Sequence, residues 1–217
     1  MAKTSRTRRR DRQATERRIF EAAAAEFSDR GYSGATLARI AGRAASSKAL
    51  VVRYFGSKQE LYRSVLNTKY ADLSSRETVR ATSSAGSVRK LLEDILADLF
   101  AFNAENPEFS RLVAWENLNG AKHLDPDRAR EAREPGWSRL RRVIEAAQRA
   151  GEIRPDLDVE RFVYALQALT VVYFSNRYTM KILTGIPFDD PDTMEGFVAF
   201  YADLLARGIG TQEGKDG

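Results

Sequence analysis

The sequence contains no cysteine and only one histidine, His123. Without cysteine the chain forms no disulfide and offers no thiolate to a metal, which is typical of a protein in a reducing cytoplasm. It has no apolar run of about 18 residues or more, so we expect no membrane span. The charged N-terminus also lacks the apolar segment of a signal peptide.

Signs of catalysis are also scarce. The sequence shows no nucleophile–histidine arrangement, no glycine-rich phosphate loop and no paired-carboxylate motif in a helix. His123 lies near Asp125 and Asp127, a trio that either binds a metal or forms a solvated loop, and we favour the loop. We therefore expect no enzyme activity, no metal and no cofactor; an α-helical enzyme stays only as an alternative.

Nearly every segment repeats its apolar residues with the period of a half-buried helix, and alternating strand patterns are absent. We predict an all-α fold of nine to ten helices, with an N-terminal three-helix helix-turn-helix domain joined to a larger helical domain. The expected divisions are a disordered basic arm over 1–14, the helix-turn-helix domain over 15–60, the larger domain over 61–208 and a flexible tail over 209–217.

Several local signals set the expected helix ends. Gly31 favours the left-handed backbone that stops a helix. Ser87 and Asp158 are expected to cap later helices. The small polar stretch 82–86 is the expected domain edge, and Pro135-Gly136 should break or kink a charged helix.

The stretch from Thr36 to Lys58, TLARIAGRAASSKALVVRYFGSK, is the most informative part of the chain. It predicts two short helices, 37–44 and 48–55, joined by a turn of small residues. Thr36 is expected to cap the first helix, and Ser46 or Ser47 the second. Two such helices form a helix-turn-helix, whose second helix fits the DNA major groove.

The charge distribution also indicates DNA as the partner. Residues 1–60 carry 14 basic and 6 acidic side chains, a net charge of +8, whereas residues 61–217 carry 21 and 24, a net charge of −3. A basic patch of this kind binds a polyanion through counterion release. The basic segment from Lys3 to Arg12 either settles in the minor groove or serves as a solubilising tail.

Residues 17–66, RRIFEAAAAEFSDRGYSGATLARIAGRAASSKALVVRYFGSKQELYRSVL, resemble the TetR family of bacterial transcriptional regulators. The first helix ends in RGY, a threonine precedes the second helix, and YFGSK opens the fourth. The resemblance implies a cytoplasmic, nucleoid-associated homodimeric repressor. It would bind a palindromic operator in double-stranded DNA and leave it when a small-molecule effector binds the C-terminal domain. An effector-independent architectural DNA-binding protein is the main alternative.

Carried over by position, the resemblance implies a set of DNA-contacting residues at the start of the second helix, along the third helix and at the start of the fourth. These residues are Thr36, Ser47, Lys48, Ala49, Leu50, Arg53, Tyr54 and Lys58. Lysines at such positions neutralise phosphates, whereas an arginine grips a guanine by two hydrogen bonds.

Four departures from the family pattern make the operator sequence unpredictable. Ala45 stands where the family usually has the turn glycine, so the turn must form with a Cβ present. Ser46 replaces an apolar residue, and Val52 and Arg53 replace an aromatic pair. Gly42 lies inside a helix, at a cost of roughly 0.5–1 kcal/mol relative to alanine.

The family also implies an effector pocket, for which polar residues within apolar helices are the candidates. A ligand would satisfy such buried groups, but so would hydrogen bonds between helices or across a dimer interface. The effector-binding candidates are Trp115, Glu116, Asn119, Tyr173, Asn176 and Arg177. The last two helices are expected to form the dimer interface, through Phe162, Leu166, Phe197, Phe200, Tyr201 and Leu204.

Overall fold

The computed structural model describes the backbone of residues 2–76 and 87–210 and the side chains of residues 10–75 and 87–210. The expected domain edge at 82–86 and the tail beyond Gly210 lie outside the described residues. The described ranges contain nine α-helices and no strand, which confirms the all-α prediction. The helices are α1 (Ala2–Gly34), α2 (Leu37–Arg43), α3 (Lys48–Phe55), α4 (Lys58–Arg76), α5 (Val88–Glu105), α6 (Pro107–Leu118), α7 (Pro126–Arg149), α8 (Val159–Thr184) and α9 (Pro191–Ile209).

The chain divides into two compact units. The first holds the described residues up to Tyr70 together with Glu108–Arg130, and the second holds Ala71–Pro107 and the residues from Glu131 onward. The expected linear division assigned α6 to the larger domain. In the structure α6 lies in the first unit because the indole of Trp115 packs on Gly31 and donates to the carbonyl of Ser28 at 3.1 Å.

The core of the first unit is built from one face of each of its helices. Phe27 and Tyr62 meet edge to face, with ring centroids 4.7 Å apart. Ile40 and Val51 bring the two short helices onto this core, and Leu112 closes it from α6. The apolar spacing in the sequence therefore places α2 and α3 on a common support, which leaves their other faces exposed.

The second unit is a helical bundle in which α5 packs against α8 and α9. Its core is apolar and includes Leu92, Ile95, Leu96, Phe100, Leu140, Ile144, Val163, Leu166, Val198 and Ala202. A short antiparallel bridge joins Ile153 to Gly210, and the Arg154 amide donates to the carbonyl of Ile209 at 2.9 Å. Asp158 caps α8, and Ser87 caps α5, as the sequence predicts.

Two sequence expectations differ from the structure. The segment expected to be a disordered arm is helical from Ala2 onward. Once a helix is anchored on a core, each added residue gains a backbone hydrogen bond without a new nucleation cost. Of the break or kink expected at Pro135, the break is absent, since α7 continues through this residue. The hydroxyl of Ser74 accepts from the Gly136 amide at 2.7 Å, so this amide keeps a partner beside the proline.

Candidate DNA-binding surface

The turn between α2 and α3 forms without a glycine. The hydroxyl of Thr36 caps α2 by accepting from the Arg39 amide at 3.2 Å. At the far end Ala45 takes φ 46°, a left-handed conformation that is costly for a residue with a Cβ. The Ser46 amide then donates to the Ala41 carbonyl at 2.9 Å, which closes the turn. The sequence thus makes the expected turn, but with a strained alanine.

Helix α3 presents a polar and basic face to solvent. Ser47 caps the helix, because its hydroxyl accepts from the Leu50 amide at 3.1 Å. Val51 is fully buried beneath the helix, whereas Leu50 and Tyr54 are half-buried at its edges. The exposed face consists of Ser47, Lys48, Ala49, Val52 and Arg53. This is the geometry of a recognition helix, whose N-terminal residues meet base edges and phosphates.

The start of α4 is fixed by a capping box. The Glu60 amide donates to the Ser57 hydroxyl at 3.2 Å, and the Ser57 amide donates to the Glu60 carboxylate at 2.7 Å. The hydrogen bond from the Ser57 amide lowers the pKa of Glu60. Next to this cap, the ammonium of Lys58 lies 4.4 Å from the Tyr32 ring centroid, and desolvation lowers its pKa. The box therefore fixes the first turn of α4, and the Tyr32 ring positions the Lys58 ammonium at its start.

The basic side chains of this region fall into two groups. Residues 31–59 contain no aspartate or glutamate. Arg39 and Arg43, on α2, are paired with the buried carboxylate of Glu26 on α1, at 2.6 and 3.4 Å. Lys48 and Arg53 have no carboxylate within salt-bridge distance among the described side chains. Two arginines thus tie α2 to α1, whereas the charge on α3 is left for a partner.

The eight residues expected to contact DNA all lie in the first unit, at or beside the ends of α2, α3 and α4. The sequence reasoning did not identify Glu26 as the anchor of α2. Its signal was present, because this carboxylate falls on the apolar stripe of α1 with Ile19 and Phe27. A buried charge of this kind requires partners, and only the folded chain shows which ones.

Three effector candidates instead have partners inside the first unit. Glu116 is buried and accepts from the Tyr62 hydroxyl at 2.9 Å and from the His123 amide at 3.2 Å. Its carboxylate also faces the His123 ring nitrogen at 2.9 Å. Trp115 donates to a carbonyl of α1, and the Asn119 amide donates to the Trp115 carbonyl at 2.7 Å. The interhelical alternative therefore accounts for Trp115 and Glu116, whereas the Asn119 side chain bonds within the end of its own helix.

The prediction that His123 belongs to a solvated loop is wrong. Its side chain is buried between Tyr32 and Tyr62, with ring centroids 4.1 and 5.3 Å away. The Arg63 guanidinium donates to the His123 carbonyl at 3.1 Å, which fixes the turn on α4. Among the described residues no group of three or more His, Asp or Glu side chains is placed to hold a metal ion.

The other three effector candidates lie together on α8 in the second unit. The Tyr173 ring is buried and its hydroxyl donates to the Phe188 carbonyl at 3.0 Å. Burial raises the pKa of this hydroxyl. The Arg177 guanidinium lies over the Phe174 ring at 5.8 Å, and its Nε is buried without a hydrogen-bond partner in the described part of the chain. Asn176 is exposed beside it.

The expected dimer interface is only partly available at the surface. Phe162 and Leu166 are buried in the core of the second unit, so they are corrected to core residues. Phe197 and Tyr201 are half-buried in an aromatic cluster, with ring centroids 5.8 Å apart. Two large apolar side chains of α9 remain exposed: Phe200 at 59% and Leu204 at 55%.

A helix-turn-helix on a three-helix core, followed by a helical bundle, defines a DNA-binding transcriptional regulator. Comparison with family models agrees: residues 19–65 match the bacterial regulatory proteins of the tetR family, and residues 89–205 match the tetracyclin repressor-like C-terminal domain. The chain belongs to the TetR family. This membership favours a regulator over both an enzyme and an architectural protein.

Relatives and solved structures agree with this assignment. The chain is 33% identical to the transcriptional repressor SCO4008 of Streptomyces coelicolor, over 74% of this chain and 78% of that protein. It is 29% identical to the transcriptional repressor NicS of Pseudomonas putida, over 88% of this chain and 90% of that protein. A TetR family regulator from Marinobacter aquaeolei gives a TM-score of 0.70 at 17% identity, covering 94% of this chain and all of that one. The transcriptional regulator FadR of Bacillus subtilis, solved in complex with stearoyl-CoA, gives a TM-score of 0.67 at 16% identity. The match covers 88% of this chain and 98% of that one. These two structures share the fold.

No helix in the described part of the chain is both long enough and apolar enough to span a membrane.

Proposed function

We propose that this protein is a homodimeric repressor that binds a palindromic operator through α2 and α3 and is released by a small-molecule effector. The observation that carries the proposal is the exposed face of α3, where Lys48 and Arg53 have no carboxylate partner among the described residues. A patch of uncompensated positive charge on a helix shaped for the major groove is suited to DNA. The protein would act at the nucleoid, in the cytoplasm.

The contacting residues divide by their chemistry. Lys48 and Lys58 carry compact charges that suit phosphates, and the Ser47 and Thr36 hydroxyls lie at helix N-termini, where backbone amides also attract phosphate. Arg53 is the residue suited to bidentate recognition of guanine. Ala49, Leu50 and Tyr54 offer apolar surface, which favours the methyl group of thymine.

The exposed apolar side chains favour a dimer through the second unit. Tyr164 and Val172 on α8 are exposed, as are Phe200 and Leu204 on α9. Apolar side chains of this size, grouped on two consecutive helices, mark an interaction surface. A twofold dimer would space two α3 helices about 34–36 Å apart, one turn of DNA, and so read a palindrome.

The effector site is proposed in the second unit, around Tyr173, Asn176 and Arg177. Aromatic rings near a partly buried guanidinium suit a moderately apolar molecule with a polar or acidic group. FadR, one of the similar structures, holds stearoyl-CoA, a ligand of this general kind. The effector would bind more tightly to the dimer conformation in which the two α3 helices are not spaced for DNA. The affinity for the operator would then fall by the ratio of the effector's affinities for the two conformations.

The test is a selection of genomic fragments by the purified protein, followed by gel shifts with the fragments recovered. One palindrome recovered repeatedly supports a specific regulator, whereas binding without sequence preference supports the architectural alternative. In the recovered operator, Arg53→Ala should lose discrimination at one guanine by roughly 1–3 kcal/mol. Arg142→Ala, which removes the same charge from α7, is the control. An unchanged base preference in Arg53→Ala would refute the role of this residue.

A further inference from the structure

The N-terminal part of α1 contacts the recognition helix. The guanidinium of Arg12 lies 5.6 Å from the centroid of the Tyr54 ring on α3, within the range of a cation–π contact. Arg12 is exposed and Tyr54 is half-buried. The contact joins residues 42 positions apart in the sequence, so it reflects how α1 lies beside α3.

Arg12 differs from most arginines that follow it on α1. Arg17 is paired with Glu21 at 2.7 Å, and Arg30 with Glu26 at 3.5 Å. No carboxylate lies within salt-bridge distance of Arg12 among the described side chains. Its positive charge is therefore uncompensated, like that of Lys48 and Arg53, and it lies at the edge of the same surface.

The backbone beyond Arg12 continues as a helix to Ala2. Ten residues of helix span about 15 Å, which equals the length of roughly four base pairs. The sequence from Lys3 to Arg12 carries six basic residues and one acidic residue. A segment with this net charge attracts a polyanion, and the contact of Arg12 with Tyr54 places the end of the segment beside the recognition helix.

We propose that residues 2–12 form a second DNA-contacting element, which lies as a helix along the phosphates that flank the half-site read by α3. The minor groove of B-DNA is about 6 Å wide, whereas a helix with its side chains is about 10–12 Å across. A helical segment therefore binds the backbone outside the groove and does not insert into it. The inference rests on the proposed operator binding and adds contacts outside the helix-turn-helix.

The experiment compares two duplexes that share the selected palindrome, one ending at the half-sites and one extended by about eight base pairs on each side. Four proteins are measured by gel shift from low to moderate salt: the full chain, a variant without residues 2–9, Arg12→Ala and Arg18→Ala. Arg18 is also exposed on α1, so Arg18→Ala is the charge-matched control. Thermal unfolding of each variant checks that the fold is kept.

The full chain should bind the extended duplex more tightly, and the truncation should remove this preference. Arg12→Ala should weaken binding by about tenfold per lost phosphate contact at 0.1 M salt, and should flatten the salt slope by about two for a dimer. Arg12→Lys should restore most of the affinity, and Arg18→Ala should change little.

Equal affinity of the full chain and the truncation for the extended duplex, with equal salt slopes, would overturn the inference. An equal loss in Arg18→Ala would also overturn it, because general charge would then explain the effect. Loss of preference in the truncation with binding to the short duplex intact supports it. If the full chain bound neither duplex, the proposed operator binding itself would have failed, which is a separate result.

Discussion

Replacing Glu116 by alanine should strongly destabilise the first unit. The Glu116 carboxylate is 2% exposed and serves three donors: the Tyr62 hydroxyl, the His123 amide and the His123 ring nitrogen. The Tyr62 hydroxyl and the His123 amide donate to this carboxylate, and the ring nitrogen donates in the tautomer that carries its proton on Nδ1. Alanine would leave these donors buried and without their acceptor.

The expected cost follows from the number of side-chain donors that lose their partner. Each buried donor left unsatisfied costs about 1–3 kcal/mol, so the Tyr62 hydroxyl and the His123 ring together cost about 2–6 kcal/mol. Small domains have a free energy of unfolding of about 5–15 kcal/mol, so this loss is a large share. Glu116→Gln keeps one carbonyl acceptor and should cost less than Glu116→Ala.

The assay is urea unfolding followed by the fluorescence of Trp115. The chain has two tryptophans, so a Trp137→Phe background leaves Trp115, whose indole is bonded to Ser28, as the reporter of the first unit. In a double-mutant cycle, the loss of unfolding free energy in the double variant Glu116→Ala/Tyr62→Phe should be smaller than the sum of the two single losses by about 0.5–3 kcal/mol. Additive effects, or a cost of Glu116→Ala below about 0.5 kcal/mol, would refute the argument from buried donors.

Four further predictions concern backbone conformation and alkaline pH. Gly31→Ala should destabilise the protein by about 2–4 kcal/mol, because φ is +64° and the new Cβ would lie 2.8 Å from the Trp115 ring; a urea midpoint close to that of the parent would contradict this. Ala45→Gly should instead stabilise the protein by about 1 kcal/mol, because glycine adopts the left-handed conformation without strain. Gly42→Ala should also stabilise it, by about 0.5–1 kcal/mol, because the new Cβ would meet open space. Thermal unfolding measures both changes. Burial and then the hydrogen bond to Glu116 raise the pKa of Tyr62. Because the unfolded chain loses this proton near pH 10 while the folded chain keeps it, the free energy of unfolding should be intact below about pH 10 and fall above it. In Tyr62→Phe the free energy of unfolding, measured with urea, should fall less between pH 9 and pH 11, about the range of that titration. An equal fall in the parent and the variant would contradict the assignment.

The local structure could be predicted from the sequence because the interactions that cause it lie within three or four residues. Thr36, Ser47, Ser87 and Asp158 cap helices by accepting from the amide three positions onward. The Ser57–Glu60 box works over the same distance. Such contacts need only the right residue at the right spacing, so the helices of the DNA-binding surface could be placed before any coordinates.

The packing partners of side chains between helices could not be predicted from the sequence. Periodicity shows that a helix face is apolar, but it does not show which part of the chain covers that face. Phe162 and Phe200 both fall on apolar helix faces, yet one is buried in the core and the other is exposed. Trp115 and Glu116 carry polar atoms that suit a ligand as well as a neighbouring helix, and the fold supplied the helix.

The sequence by itself determined the helical fold, the helix-turn-helix and the sign of its charge, since these depend on local spacing and composition. Only the tertiary structure decided which charges are available. Arg39 is paired with Glu26, 13 residues away, and Arg43 with Glu26 and Asp29, 17 and 14 residues away, whereas Arg12 has no carboxylate partner beside Tyr54. A charge can be counted from the sequence, but whether it is paired depends on distances that only packing sets.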